Sequence, residues 1–174
     1  LEAASLAAVS EVSKIVVNDP HFGYIGLVDR APCGRGTTAA DNEPLPVVGI
    51  NTLWATCREE FLFAELANNA DMREFARQDL QELQRATALL QARLADSVLE
   101  HPHFVACDAD GTVISPYARA LAIYRDNSGL NSDPKRTNLL TLSLGWLNDI
   151  TDSYVLVPQP ENLASVKVEQ RLGS

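Results

Sequence analysis

Ala70-Asp-Met-Arg-Glu-Phe75-Ala-Arg-Gln-Asp-Leu80-Gln-Glu-Leu83-Gln-Arg-Ala-Thr87-Ala-Leu-Leu90-Gln-Ala-Arg-Leu94-Ala-Asp-Ser-Val98 is the stretch on which the fold turns. Phe75 or Ala76, Leu80, Leu83, Thr87, Leu90, Leu94 and Val98 recur at alternating steps of three and four, an a/d seam. Arg73, Arg77, Glu82, Arg85 and Arg93 lie off it. The spacing predicts a helix about 40 Å long at 1.5 Å per residue. Asn69 or Ala70-Asp71 caps its start, and His101-Pro102 stops it. Upstream, Leu53, Cys57, Phe61, Leu62 and Leu66 predict a first helix opened by Asn51 or Thr52, so 52–99 is one long helical segment broken at Asn68. Packing of the seam within the chain is the ordinary expectation, and pairing of the 70–99 helix with another copy is the alternative.

Outward from this segment the pattern weakens. Residues 1–17 predict a helix with Leu1, Ser5, Ala8, Val9, Val12, Ile15 and Val16 on one face, packed against the 70–99 helix. Asn18-Asp19-Pro20 ends it. Residues 20–50 are loop-rich. Phe22 to Val28 predicts a short strand, Ala31 to Pro46 a loop, and Pro44-Leu45-Pro46 an extended lead into Val47 to Ile50. Residues 103–174 predict short strands and helices: an apolar run at 103–107, a turn at Asp108 to Gly111, and a helix from Pro116 to Tyr124 capped by Ser115. A polar loop follows over 126–136. Leu139 to Leu147 is a strand or short helix, and a short helical pattern starts at Leu163. The fold class is α+β, mainly α, with long antiparallel helices, a small β and loop-rich region, and one domain over 1–174.

The 174 residues carry 14 Lys+Arg and 23 Asp+Glu, a net charge of −9, with 46% apolar residues. That apolar content suffices for a core and excludes a disordered or collagen-like chain. The acidic balance argues against nucleic acid, whose phosphates need a basic face. No apolar run of about 18 residues is present. Cys33, Cys57 and Cys107 form no Cys-x-x-Cys motif. They are free thiols in a reducing compartment, or one pair plus an odd thiol outside it, with any of the pairings open.

Three constellations are chemically suggestive. Val105-Ala-Cys-Asp108-Ala-Asp110-Gly111-Thr112-Val113 resembles the first motif of the haloacid dehalogenase-like phosphotransferases. That resemblance implies Asp108 as nucleophile, Asp110 as acid/base and Mg²⁺ between them and a phosphate. Lys135 and Asp149 or Asp152 are the candidates for the remaining positions. The competing reading is a turn, in which Asp side chains bond the local backbone and Gly supplies positive φ. His101, His103 and Asp108, with Cys107, form an alternative metal set of zinc character. The competing reading is a helix terminus whose histidines meet the last carbonyls. Gly34-Arg35-Gly36-Thr37-Thr38 is Gly-rich but lacks the Gly-Lys-Ser/Thr ending of a phosphate loop. No cofactor motif is present, and His21 reads as an exposed loop residue.

Leu1-Glu-Ala-Ala-Ser-Leu-Ala-Ala8-Val-Ser-Glu-Val12 resembles the Ala-rich helix that follows the membrane anchor in TadE/TadG-like pilus assembly proteins. Ile15 to Tyr24 and Pro44 to Leu53 resemble envelope proteins of the same kind. The resemblance implies a membrane anchor upstream of Leu1 and an extracytoplasmic location for these residues. It further implies protein partners in the cell envelope, a pilus-assembly or secretion-associated role without catalysis, and no assigned site residue. A ligand-binding sensor domain in the same location is the sibling expectation. The Mg²⁺-dependent phosphohydrolase using Asp108 and Asp110 is the enzymatic alternative.

Overall fold

The computed structural model describes residues 1–32, 34–129, 140–148 and 153–156. Among these residues, four helices and two small sheets follow in the order α1 (Glu2–Val12), β1 (Val16–Asp19), β2 (Gly23–Gly26), β3 (Val48–Gly49), α2 (Ile50–Leu66), α3 (Ala70–Ser97), β4 (Ala106–Cys107), β5 (Val113–Ile114), α4 (Pro116–Ser128), β6 (Gly145–Asn148) and β7 (Ser153–Leu156). The fold is α+β and mainly α, as the periodicity implied. The five-stranded sheet has the order β3-β2-β1-β4-β5, and β6 pairs with β7 apart from it. All pairings are antiparallel except β2 with β3.

The seam of 70–99 forms α3. Ala76, Leu83, Ala86, Leu90 and Leu94 are its buried stripe, while Phe75 is 65% exposed. Asn69 caps it, its side chain accepting from the backbone N–H groups of Asp71 and Met72. A helical hairpin results, because only Ala67-Asn68-Asn69 separates α2 from α3. The inner ends of the hairpin press on the sheet. Ala86, Leu90, Leu94 and Val98 form one core with Val12, Ile15, Val17 and Ile25, with Ile50 and Leu53 at its margin.

The first helix is shorter than the predicted 1–17. It ends at Val12, and Val16 and Val17 belong to β1. The β-branched run Ile15-Val16-Val17 suits a pleated sheet, and pairing of Val16–Asp19 with Gly23–Gly26 outweighs continued helix. The buried face is Ala4, Ala8 and Val12, whereas Leu1, Leu6 and Val9 stand exposed. Its partner is also different: α1 lies along α4, not along α3. Small Ala4, Ala8 and Ala120 face one another there, sealed by Leu140. Tyr117 fixes the seal by donating its hydroxyl to the Leu140 carbonyl at 3.1 Å.

Other boundaries move by identifiable contacts. Neither Asn51 nor Thr52 caps α2. Asp29, reaching in from the preceding loop, accepts from the Gly49 N–H at 2.8 Å and from the Thr52 hydroxyl at 2.6 Å. Those two bonds hold its carboxyl below the usual range, as expected for an anion at a helix start. Cys57 sits buried within that helix. The 20–50 region holds β2, β3 and the isolated bridges Arg30–Val47 and Thr38–Pro44. The fourth helix continues past Tyr124 to Ser128, closed by Gly129 in the left-handed region. Within Leu139–Leu147, Gly145–Leu147 is strand. Leu139, the 130–136 part of the expected loop and the helical pattern from Leu163 lie outside the described residues.

Candidate functional site

The two carboxylates singled out by motif sit in the turn between β4 and β5. The Asp108 Oδ1 accepts from the backbone N–H of Asp110 at 3.0 Å and of Thr112 at 2.9 Å. The backbone closes the same loop, with Gly111 N–H donating to the Asp108 carbonyl and Gly111 at φ +78°. Asp108 is thus occupied in holding a tight antiparallel turn. A phosphotransferase nucleophile belongs instead at the end of a parallel strand, facing a substrate. Lys135, Asp149 and Asp152 lie outside the described residues.

The Gly-rich stretch has a use that its motif did not disclose. The Gly36 N–H donates to the Ala109 carbonyl at 3.0 Å, laying the 34–36 backbone directly on the Asp108–Gly111 turn. A Cβ on Gly34 would fall 1.7 Å from the Ala109 oxygen, and one on Gly36 would fall 2.3 Å from the Gly111 nitrogen. These glycines permit backbone to lie on backbone, with no phosphate needed to explain them. Thr37 then anchors the loop, buried and donating its hydroxyl to the Leu45 carbonyl at 3.0 Å.

The expected metal set is not assembled. His103 turns back to Asp96, its Nδ1 lying 2.7 Å from Oδ1. Asp108 is committed to its turn, and no group of three His, Cys, Asp or Glu among the described residues is placed to hold a metal ion. Asp96 itself is fully buried and receives the backbone N–H groups of His103 at 3.0 Å and Phe104 at 2.9 Å. Burial alone would raise its carboxyl. The two backbone donors, the His103 ring bond and the charge of His103 outweigh that and hold it below the ordinary range. One carboxylate therefore ties the segment after α3 back onto the helix.

Beside this tie runs a groove of about 320 Å³, bounded by Val17, Asn18, Leu89, Arg93, Phe104 and Val105. It opens where β1 and β4 part beyond their Val16–Cys107 pairing. The Arg93 guanidinium stacks over the Phe104 ring at 3.5 Å, a cation–π contact at the rim.

Inside the helical hairpin sits an acidic knot. One oxygen of Glu60 is buried without a hydrogen-bond partner, and burial and the Asp79 charge push its carboxyl up. Burial, Glu60 and Asp79 together push the Cys57 thiol up to about 11. His21 is exposed in its turn as expected, and its Nε2 meets the Asp79 Oδ1 at 3.0 Å. Cys57 and Cys107 are free thiols, whereas Cys33 lies outside the described residues.

Beyond the His21–Asp79 contact the hairpin projects, and its tip is apolar. Leu62, Phe63 and Leu66 at the end of α2 are 58%, 59% and 74% exposed, and Phe75 at the start of α3 is 65% exposed, with Met72 beside it. Mixed charges surround them, including Glu65 with Arg73 at 3.5 Å and Glu74 with Arg77 at 3.3 Å. The sequence pattern placed Leu62 and Leu66 on the inner face. Ala64 and Ala76 line the seam there instead, and small side chains at the seam turn the large ones outward. Asp96 was missed as well, although an acid in the last turn of a helix opposes the helix dipole and so signals another task.

Compared with known proteins, the chain matches no family model, no curated protein and no solved structure.

Proposed function

We propose that these residues form a non-enzymatic interaction domain of a bacterial cell-envelope protein. In this reading the domain is extracytoplasmic and membrane-held in the full protein, serving pilus assembly or secretion through protein contacts. The observation that carries the reading is the hairpin tip. Five large apolar side chains, Leu62, Phe63, Leu66, Met72 and Phe75, stand in solvent at the end of a rigid element. Exposed apolar patches of this size mark interaction surfaces. The setting of Asp108 in its own turn favours the non-enzymatic reading over the phosphohydrolase.

The test is site-specific photo-crosslinking in whole cells from position 66, combined with fractionation. The expected result is fractionation with the envelope and discrete crosslinks at the tip that a probe at exposed Arg119 does not give. Recovery in the cytosol, or Mg²⁺-dependent phosphoester turnover lost in Asp108→Asn, would overturn the reading. The groove at Arg93 supports the sensor reading as a second candidate, because a cation over an aromatic rim suits a small anionic ligand.

A further inference from the structure

We propose that the tip of the α2–α3 hairpin is a self-association surface, and that its occupant is the same tip of a second copy of this chain. The inference rests on the interaction reading above and names its partner.

Area is the first argument. At the exposures of Leu62, Phe63, Leu66, Met72 and Phe75, the tip leaves roughly 550 Å² of side-chain surface in water, the top of the range for a monomer. Two such tips packed together bury at most about 1,100 Å² from these residues, and their polar rims bring the total into the range of specific interfaces. Geometry is the second argument. Two helical hairpins meeting across a twofold axis complete a four-helix bundle, in which the same patch serves both copies.

Charge is the third argument and separates this occupant from a lipid surface. The rim offers Glu59, Glu65, Asp71 and Glu74 beside Arg58, Arg73 and Arg77. The acids sit on both helices, as do the bases, so a twofold arrangement can oppose unlike charges. Arg77 and Glu74 are 62% and 59% exposed at their side chains, so this pair can exchange partners at little cost. Anionic headgroups would meet four carboxylates. The −9 charge of each copy opposes association, but charges far from the tip are screened within about 8 Å at physiological salt.

The experiment is sedimentation equilibrium over a micromolar concentration series on the wild type and on Phe63→Glu/Phe75→Glu. Both replaced residues are exposed, and the helical circular dichroism and urea midpoint serve as folding controls. The wild type is expected to approach twice its 18.9 kDa mass, and the variant to associate at least about tenfold more weakly. A wild type that stays at one copy throughout overturns the proposal, as does a variant that associates equally well. Sedimentation of a monomeric wild type with phosphatidylcholine/phosphatidylglycerol vesicles overturns it in favour of lipid. A monomeric wild type that still gives tip crosslinks in cells overturns the second copy and leaves the interaction reading standing. Loss of both results removes both.

Discussion

Replacing Asp96 tests the reasoning at its most exposed point, because this one side chain engages His103, a member of the alternative metal set. Its two oxygens take three donors: the His103 N–H and ring Nδ1 at Oδ1, and the Phe104 N–H at Oδ2. Asp96→Ala removes all three acceptor positions at a site with no solvent exposure. A hydrogen bond to a charged group contributes about 1.5–3 kcal/mol. Phe104 is 45% exposed, so its freed N–H recovers part of its loss from water. The His103 side chain is 64% exposed and is rehydrated too, so the expected cost is about 2–4 kcal/mol, a large share of a typical domain's stability. Asp96→Asn keeps one acceptor oxygen and turns its amide toward one donor, for a cost of about 1.5–3 kcal/mol.

The assay is urea unfolding followed by Trp fluorescence and circular dichroism, with unchanged m-values as the two-state check. The pH dependence carries a sign. The folded carboxyl lies below its ordinary value, so its contribution is complete above the unfolded value of about 3.9 and is lost as pH falls through the lower folded value. The gap between wild type and Asp96→Asn must therefore close as pH falls below about 4. A cost under about 1 kcal/mol for Asp96→Ala, or a gap that persists undiminished well below about pH 4, would refute the account.

Glu60→Gln should stabilise the protein by about 1 kcal/mol at neutral pH, since it removes a buried charge lacking a hydrogen bond. The Glu60 carboxyl is raised, so the wild type regains ground on this variant in urea titrations as pH falls toward the unfolded value of about 4.3. Gly34→Ala should cost about 1–3 kcal/mol, because its Cβ would meet the Ala109 carbonyl and only backbone movement can make room; thermal unfolding checks it. An unaltered melting temperature would show that the loop does not rest on the turn. Cys57, buried and pushed up to about 11, should resist a thiol reagent at pH 8 until urea unfolds the chain, whereas Cys107 reacts earlier; rapid Cys57 labelling of the native protein would contradict its placement.

The seam was legible because it repeats. Ala76, Leu83, Ala86, Leu90 and Leu94 return at helical spacing over about five turns, and a stripe that long has one physical solution, burial. The short elements were not legible, because their cause lies elsewhere in the chain. Nothing near Ile15-Val16-Val17 announces that Gly23–Gly26 will pair with it. Nothing near Thr52 announces that Asp29 will cap its helix. The face of α1 was legible only in part, for a related reason: Ala8 and Val12 of the expected face are buried, whereas Leu1 and Val9 are not. Leu1, Leu6 and Val9 are the more hydrophobic residues, but only Ala4 and Ala8 let α4 approach closely enough, at Ala120, for the two helices to pack. Hydrophobicity predicts which residues gain most from burial, whereas packing decides which ones fit.

The same distinction relocates function. Asp108, Asp110, His103, Gly34 and Gly36 carry the chemistry-like patterns, and each has its polar groups or its backbone engaged in local structure. Their spacing matches catalytic motifs because turns need the same residues for their own hydrogen bonds and dihedral angles. The residues at the hairpin tip have no such internal explanation. Phe63 and Phe75 are placed on a well-capped helical hairpin, away from the core, at a cost to solubility that folding does not require. Among the described residues, the tip is therefore where a cost without a structural return is most concentrated, and an external partner is the return that would balance it.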